Sequence, residues 1–207
     1  MSFLFVDSTY DITLGILDDN FRWIDFKKFT GQKASAILQT ETFKMFQANN
    51  LKVKEIKAIF NVSGPGFYTG LRLSEGLLDV FKIFGIPNYS FYSYELPYLC
   101  GHNEGAWFTK AYKGEYFLHS WRKNDVKSEL FPTKDVESRL ISLDLPLFIH
   151  SESALDPLSF GLIKKFIPTS ELLKNSSKVI FKHILETDSH RDSFYFRAPE
   201  DEFRVST

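Results

Sequence analysis

The stretch NVSGPGFYTGLRLSEG, from Asn61 to Gly76, has the residue types of a phosphate-binding turn. Gly64, Gly66 and Gly70, with Pro65, Thr69 and Arg72, lie where an apolar strand-like run (56–63) gives way to a helical one (70–85). Backbone N–H groups freed at such a junction, and the positive end of the helix dipole, attract anions. A P-loop, however, needs two glycines separated by four residues, then Lys and Ser or Thr. Here Gly64 and Gly70 are separated by five residues and Gly66 and Gly70 by three, and Leu71 follows Gly70. The dinucleotide fingerprint needs a third glycine where Thr69 stands. A second reading is purely structural: Gly64 and Gly66 admit backbone angles closed to other residues, Pro65 stiffens the turn and Thr69 caps the helix. Arg72 fits neither reading fully. A positive charge in the first helical turn opposes the dipole, at a cost of roughly 0.3–1 kcal/mol when exposed. Its presence calls for a carboxylate, a phosphate, or a residue of another chain.

The elements that must position this turn can be read from periodicity. SFLFVDST (2–9), DITLGIL (11–17) and FRWIDFKKF (21–29) form a three-stranded antiparallel meander, with Asp18-Asp19-Asn20 as one turn. A helix follows over 33–50, with Ala34, Ile37, Leu38, Met45 and Phe46 on one broad face. IKAIFNVS is a buried strand, 70–85 a second helix ending at Gly85, and NYSFYS (88–93) a short strand. The order β-β-β-α-β-α-β gives an α/β lobe with a mixed sheet, the plan of an actin-like or ribonuclease-H-like fold. The second half predicts a hairpin over 105–123 through Lys113-Gly114, then a strand and a helix starting near Thr133. A strand follows at 145–151, a partly helical 169–188 is capped by Thr169 or Ser170, and the tail is extended. No sequence repeat is visible. The division expected is 1–95 and 96–207.

Both helices of the first lobe carry more apolar surface than one buried face needs. On 70–85, Leu73, Leu77, Val80, Phe81 and Phe84 form one stripe, broadened by Leu71, Leu78 and Ile83. On 33–50, Phe43 lies off the main stripe, with Ala36, Thr40 and Gln47. Either strands of the same chain cover this surplus or a protein partner does.

Composition bounds the rest. The 207 residues are 43% hydrophobic with 22 Phe, so part of the core or of an interface is aromatic. A net charge of −1 argues against a stand-alone nucleic-acid binder, although Lys164, Lys165, Lys174, Lys178, Lys182, Arg191 and Arg197 gather toward the C-terminus. The single cysteine, Cys100, fits a reducing compartment and reads as a packed thiol. With no apolar stretch near the roughly 20 residues of a membrane span and no signal-like leader, a soluble cytoplasmic protein is expected. His102, His119, His150, His183 and His190 show no metal-ligand spacing, so no metal site is assigned.

With these pieces in place, the chain resembles the bacterial TsaB (YeaZ) family. GPGFYTGLR (64–72) is similar to that family's Gly-Pro-Gly-Ser-Phe-Thr-Gly-Leu-Arg. FVDST (5–9), KGEYF (113–117) and FYFR (194–197) are weaker matches in the same order. The resemblance implies a two-lobed actin-like ATPase fold without catalysis of its own. It implies a subunit of the machinery that makes threonylcarbamoyladenosine on tRNA, scaffolding and activating a catalytic paralogue, TsaD, together with a small ATPase, TsaE. Contact with tRNA would run only through the complex, and ATP or ADP would enter only at the level of the complex. Pairing in the family uses the two N-lobe helices. Here that implies an interface over Ala36, Thr40, Phe43, Leu73, Leu77, Val80 and Phe81, which alone could also form a homodimer.

The chain departs from the family pattern in places. It has no histidine before His102, reads KASA at the start of its first helix, lacks a glycine in DSTYD, and carries Phe67 and Lys110 at family Ser and Asp positions. Asp7 and Thr9 are the candidate vestigial nucleotide contacts, Asp7 toward a Mg-bound water and Thr9 toward a phosphate. They carry the alternative from another class, an actin-like small-molecule kinase or ATPase with a retained nucleotide cleft.

Overall fold

A computed structural model describes residues 1–31, 33–111, 114–123, 125–150 and 165–196. The chain divides into two compact units, Met1–Tyr92 with Ser177–Tyr195, and Ser93–Ser176 with Phe196–Thr207. The first division falls close to the expected 95/96 boundary. The return of Ser177–Tyr195 to the first unit is absent from a contiguous two-lobe division.

The first unit is built on β1 (Ser2–Asp7), β2 (Ile12–Leu17), β3 (Trp23–Phe29), β4 (Ile56–Val62) and β5 (Asn88–Phe91), in the order β3-β2-β1-β4-β5. β1, β2 and β3 pair antiparallel, while β4 and β5 join parallel to β1. The crossovers are helices α1 (Ala34–Ala48) and α2 (Tyr68–Ile83). Side chains alternate across a strand, so β1 serves two cores. Leu4 and Val6 join Leu14, Ile16, Ile59, Leu38, Met45, Leu77 and Phe81 in an aliphatic-rich layer under α1 and α2.

Phe5 turns to the other face. There Phe181 of helix α6 (Ser177–Glu186) meets Phe5, Trp23, Phe60 and Phe91 at ring-centroid distances of 5.7, 5.5, 4.7 and 6.4 Å. This aromatic layer accounts for much of the Phe surplus. It also explains Gly15, since a Cβ there would stand 2.3 Å from the Trp23 ring.

The second unit holds α3 (Leu96–Leu99), β6 (Glu104–Lys110), β7 (Glu115–Arg122), β8 (Asp125–Pro132), α4 (Val136–Ser142), β9 (Leu147–Ile149), β10 (Phe166–Pro168) and α5 (Thr169–Asn175). Its sheet order is β10-β9-β6-β7-β8. β6, β7 and β8 are an antiparallel meander, and β9 and β10 join parallel to β6. This is the same plan as the first sheet. The repeat is one of topology, carried by binary pattern and loop length, and no residue-by-residue similarity betrays it. The expected helical stretch 169–188 is two helices, and β10 is an addition to the expected strands. Thr169 is the first residue of α5 after Pro168 at the cap position, so neither Thr169 nor Ser170 caps it. Instead Thr169 is buried, its Oγ1 3.4 Å from His150 Nδ1. Of the tail, residues 197–207 lie outside the described residues, as does Lys113 of the hairpin turn.

Among the described residues no helix is long and apolar enough to cross a membrane. Lys165, Lys174, Lys178, Lys182 and Arg191 are all exposed and are divided between the two units, the pattern of a solvated surface. Lys164 and Arg197 lie outside the described residues.

Candidate functional site

The glycine turn packs against its own chain. Gly66 lies against the turn after β1: a Cβ on it would be 2.8 Å from the Thr9 Cα and carbonyl oxygen, and the Phe67 N–H donates to that oxygen at 2.9 Å. A Cβ on Gly70 would stand 1.9 Å from the Ser8 carbonyl oxygen, and the Ser8 hydroxyl donates to the Gly70 carbonyl at 2.7 Å. Gly64 has a φ of +120° and its missing Cβ makes room for the Phe194 carbonyl, which accepts from the Gly66 N–H at 3.2 Å. Three glycines therefore answer to three close backbone approaches, two from the β1 turn and one from the C-terminal tail. The Gly64-Pro65 peptide is cis.

The expected cap is corrected. Thr69 is the second residue of α2 and is exposed, while Phe67 occupies the cap position without a side-chain bond. The Phe67 N–H, just ahead of the first turn, is met by the Thr9 carbonyl. Phe67 packs its ring on Tyr10 at 5.1 Å.

Asp7, Ser8 and Thr9 are buried at the end of β1. The Asp7 Oδ1 accepts from the Thr9 N–H at 3.0 Å and from the Thr9 hydroxyl at 2.7 Å. The two candidate nucleotide contacts thus bond to one another, under the glycine turn. Among the described residues no group of three His, Cys, Asp or Glu side chains is placed to hold a metal ion.

Arg72 finds its carboxylate one turn along its own helix. Its Nη1 is 2.9 Å from Glu75 Oε2, and its guanidinium lies over the Tyr68 and Tyr195 rings at 5.4 and 5.9 Å. Its pKa is raised, by the Tyr68 side chain first and Glu75 second. Glu75 in turn accepts a short hydrogen bond from the Ser193 hydroxyl and another from the Tyr195 hydroxyl at 3.4 Å. Burial is the main cause that pushes the Tyr195 hydroxyl upward in pKa, with the Glu75 charge second. The tail adds backbone pairing: Tyr195 bridges to Gly66, and the Phe194 N–H donates to the Ser63 carbonyl at 2.8 Å. Glu75, Ser193 and Tyr195 were missed as a set by sequence reasoning. The unbalanced charge of Arg72 is the signal for a partner, but Glu75 and Ser193 lie 118 positions apart in the chain.

The proposed interface residues divide. Leu77 and Phe81 are buried within the aliphatic core, Leu73 is half-buried against it, and Phe46 meets Phe81 at 6.0 Å. These side chains are committed to the chain's own packing. Near them in sequence stand exposed apolar groups: Phe43, three residues before Phe46 on α1, at 63%, and at the end of α2 Val80 at 51% and Ile83 at 82%, with Phe84 just past α2 at 62%. Ala36 and Thr40 are exposed on the stripe that leads to Phe43.

No family model and no curated protein matches the sequence. Solved structures do match. YeaZ from Pseudomonas aeruginosa aligns with a TM-score of 0.53 at 14% identity, over 72% of this chain and 74% of that one. A second structure, described as an uncharacterized protein with similarity to peptidase YEAZ from Pseudomonas aeruginosa, aligns with a TM-score of 0.52, also at 14% identity and over the same shares. At that identity the likeness carries the fold: the chain has the actin-like architecture of YeaZ, with two mixed sheets of one plan.

Proposed function

We propose that this chain is a non-catalytic partner subunit of the TsaB kind, which scaffolds and activates a TsaD-type transferase in the synthesis of threonylcarbamoyladenosine on tRNA. The observation that supports this reading is the exposed apolar group of Phe43, Val80, Ile83 and Phe84 at one end of the α1–α2 pair, on a YeaZ-like fold. Large apolar side chains left in water on neighbouring helices are the usual mark of a partner surface. The arrangement of the glycine turn agrees with a structural subunit, because its glycines serve contacts within the chain.

The test is association with the TsaD-type protein of the same cell, followed by light scattering. Phe43→Asp and Phe84→Asp are expected to abolish pairing while leaving the fold intact. Leu77→Asp is unsuitable, since it places a charge in the core. Absence of any pairing, or pairing indifferent to both exposed changes, overturns the proposal. Calorimetry with Mg-ATP tests the kinase or ATPase alternative: tight binding with turnover lost in Asp7→Ala would favour it.

A further inference from the structure

We propose that the edge strand of the second sheet, β8, pairs with β8 of a second copy of this chain, antiparallel and centred on Ser128. β8 ends the sheet order, and its residues Asp125–Ser128 and Leu130 are exposed. The Thr133 N–H donates to the Gly114 carbonyl at 2.8 Å, and the register with β7 then runs Phe131↔Tyr116, Glu129↔Leu118, Lys127↔Ser120 and Asp125↔Arg122. Backbone groups alternate in an antiparallel ladder. Those of Phe131, Glu129, Lys127 and Asp125 therefore face β7, and those of Val126, Ser128 and Leu130 face outward.

Natural edges are kept short or blunted by charge or proline. Of the other edges, β5 and β10 are short, at four and three residues, and β3, at seven, carries Lys27 and Lys28 side by side, so that a lysine lies on each face. β8 has eight, with Val126 60% and Leu130 38% exposed. Its one lysine becomes an attraction when the neighbour is the same strand. Within the chain Lys127 Nζ lies 3.3 Å from Glu129 Oε2, which Arg139 also approaches at 3.8 Å. With Ser128 opposite the partner's Ser128, Lys127 also faces the partner's Glu129, and Val126 faces the partner's Leu130. Opposite charges and apolar pairs directly across are the favourable cross-strand combinations.

Other registers of the same parity are worse. Centring on Lys127 or on Glu129 sets like charges directly opposite, centring on Val126 runs out of strand after Lys127, and centring on Leu130 sets Pro132, which has no N–H, opposite Ser128. Ser128 is also the fixed point of the edge, its Oγ 2.8 Å from His119 Nδ1. This edge belongs to the second unit, whereas α1 and α2 belong to the first.

The test uses the full chain with Cys100→Ser, read by sedimentation and by oxidative crosslinking. Directly opposed Ser128 residues would have Cα atoms about 5.5 Å apart, within disulfide range. Val126 and its copy would stand four residues apart along the strands, about 13 Å. Ser128→Cys is expected to give a disulfide-linked dimer and Val126→Cys none. Lys127→Glu is expected to weaken dimerisation about tenfold through its two symmetry-related pairs, and adding Glu129→Lys to restore it. The proposal is overturned if Ser128→Cys yields no linked dimer, or if Val126→Cys links equally well. It is also overturned if a dimer ignores Lys127→Glu and is lost in Phe43→Asp, which would place the contact on the helices.

Discussion

Ser8 and Gly70, 62 residues apart, hold each other at van der Waals limits: the Ser8 hydroxyl donates to the Gly70 carbonyl at 2.7 Å, and the Ser8 carbonyl occupies the place of a Gly70 Cβ. The start of α2 is thereby pressed onto the turn after β1. In a fold where that turn could offer its backbone to a phosphate, this chain uses it as a seat for a helix.

Gly70→Ala should therefore destabilise the chain by roughly 1–3 kcal/mol through overpacking against backbone. Gly76, on the same helix, has nothing within 4 Å of its missing Cβ. Gly76→Ala should stabilise by about 1 kcal/mol, the helix-propensity difference. Urea denaturation of the two variants checks both signs at once.

Leu77 and Phe84 look alike in the sequence stripe and differ in the fold, at 7% and 62% exposed. Leu77→Ala should cost about 2–5 kcal/mol, whereas Phe84→Ala should stay within about 0.5 kcal/mol in the isolated chain. Thermal melts without a partner separate the two. A large loss from Phe84→Ala would mean that its ring is covered by this chain.

That contrast shows what could be read in the sequence. The strand meander, both crossover helices and the actin-like order follow from periodicity, because alternation and 3.6-residue spacing are local signals. The start of α2 does not, because contacts distant in sequence set it: the Phe67 N–H bonds the Thr9 carbonyl in the turn after β1, and Gly70 packs on Ser8. Nor does the split between Leu77 and Phe84, since an apolar arc wider than one face leaves open which edge the core takes. Arg72 announced a partner by its unfavourable place on the dipole, but only the fold brings Ser193 and Tyr195 to Glu75.

Glu75 ties α2 to the tail, so Glu75→Ala should release residues 193–195. Hydrogen bonds to a charged group contribute about 1.5–3 kcal/mol, and this one is partly buried. Faster amide exchange at Phe194 is the expected readout, its N–H being bonded to the Ser63 carbonyl. Glu75→Gln should retain most of the protection, since a side-chain oxygen remains to accept from Ser193. Unchanged exchange in Glu75→Ala would show that the backbone bridges alone hold the tail.

His119 gives the second unit a dependence on pH. It stacks on Tyr94 at 4.0 Å and 20°, and burial pushes its pKa down to about 4. In the unfolded chain the imidazole titrates near its ordinary value, about 6.5. Above that pH both states are neutral and the contribution of His119 to stability is complete. Between about 6.5 and 4 the unfolded chain binds a proton that the folded chain refuses, so stability falls with pH and levels off below the folded value. Carboxylates also titrate in this window, so the measurement is a difference: urea midpoints of the natural chain and of His119→Phe, which keeps an aromatic stack without a titrating group. The natural chain should lose stability more steeply from pH 6.5 to 4. Parallel curves would show that water reaches the ring well enough to charge it in the folded state.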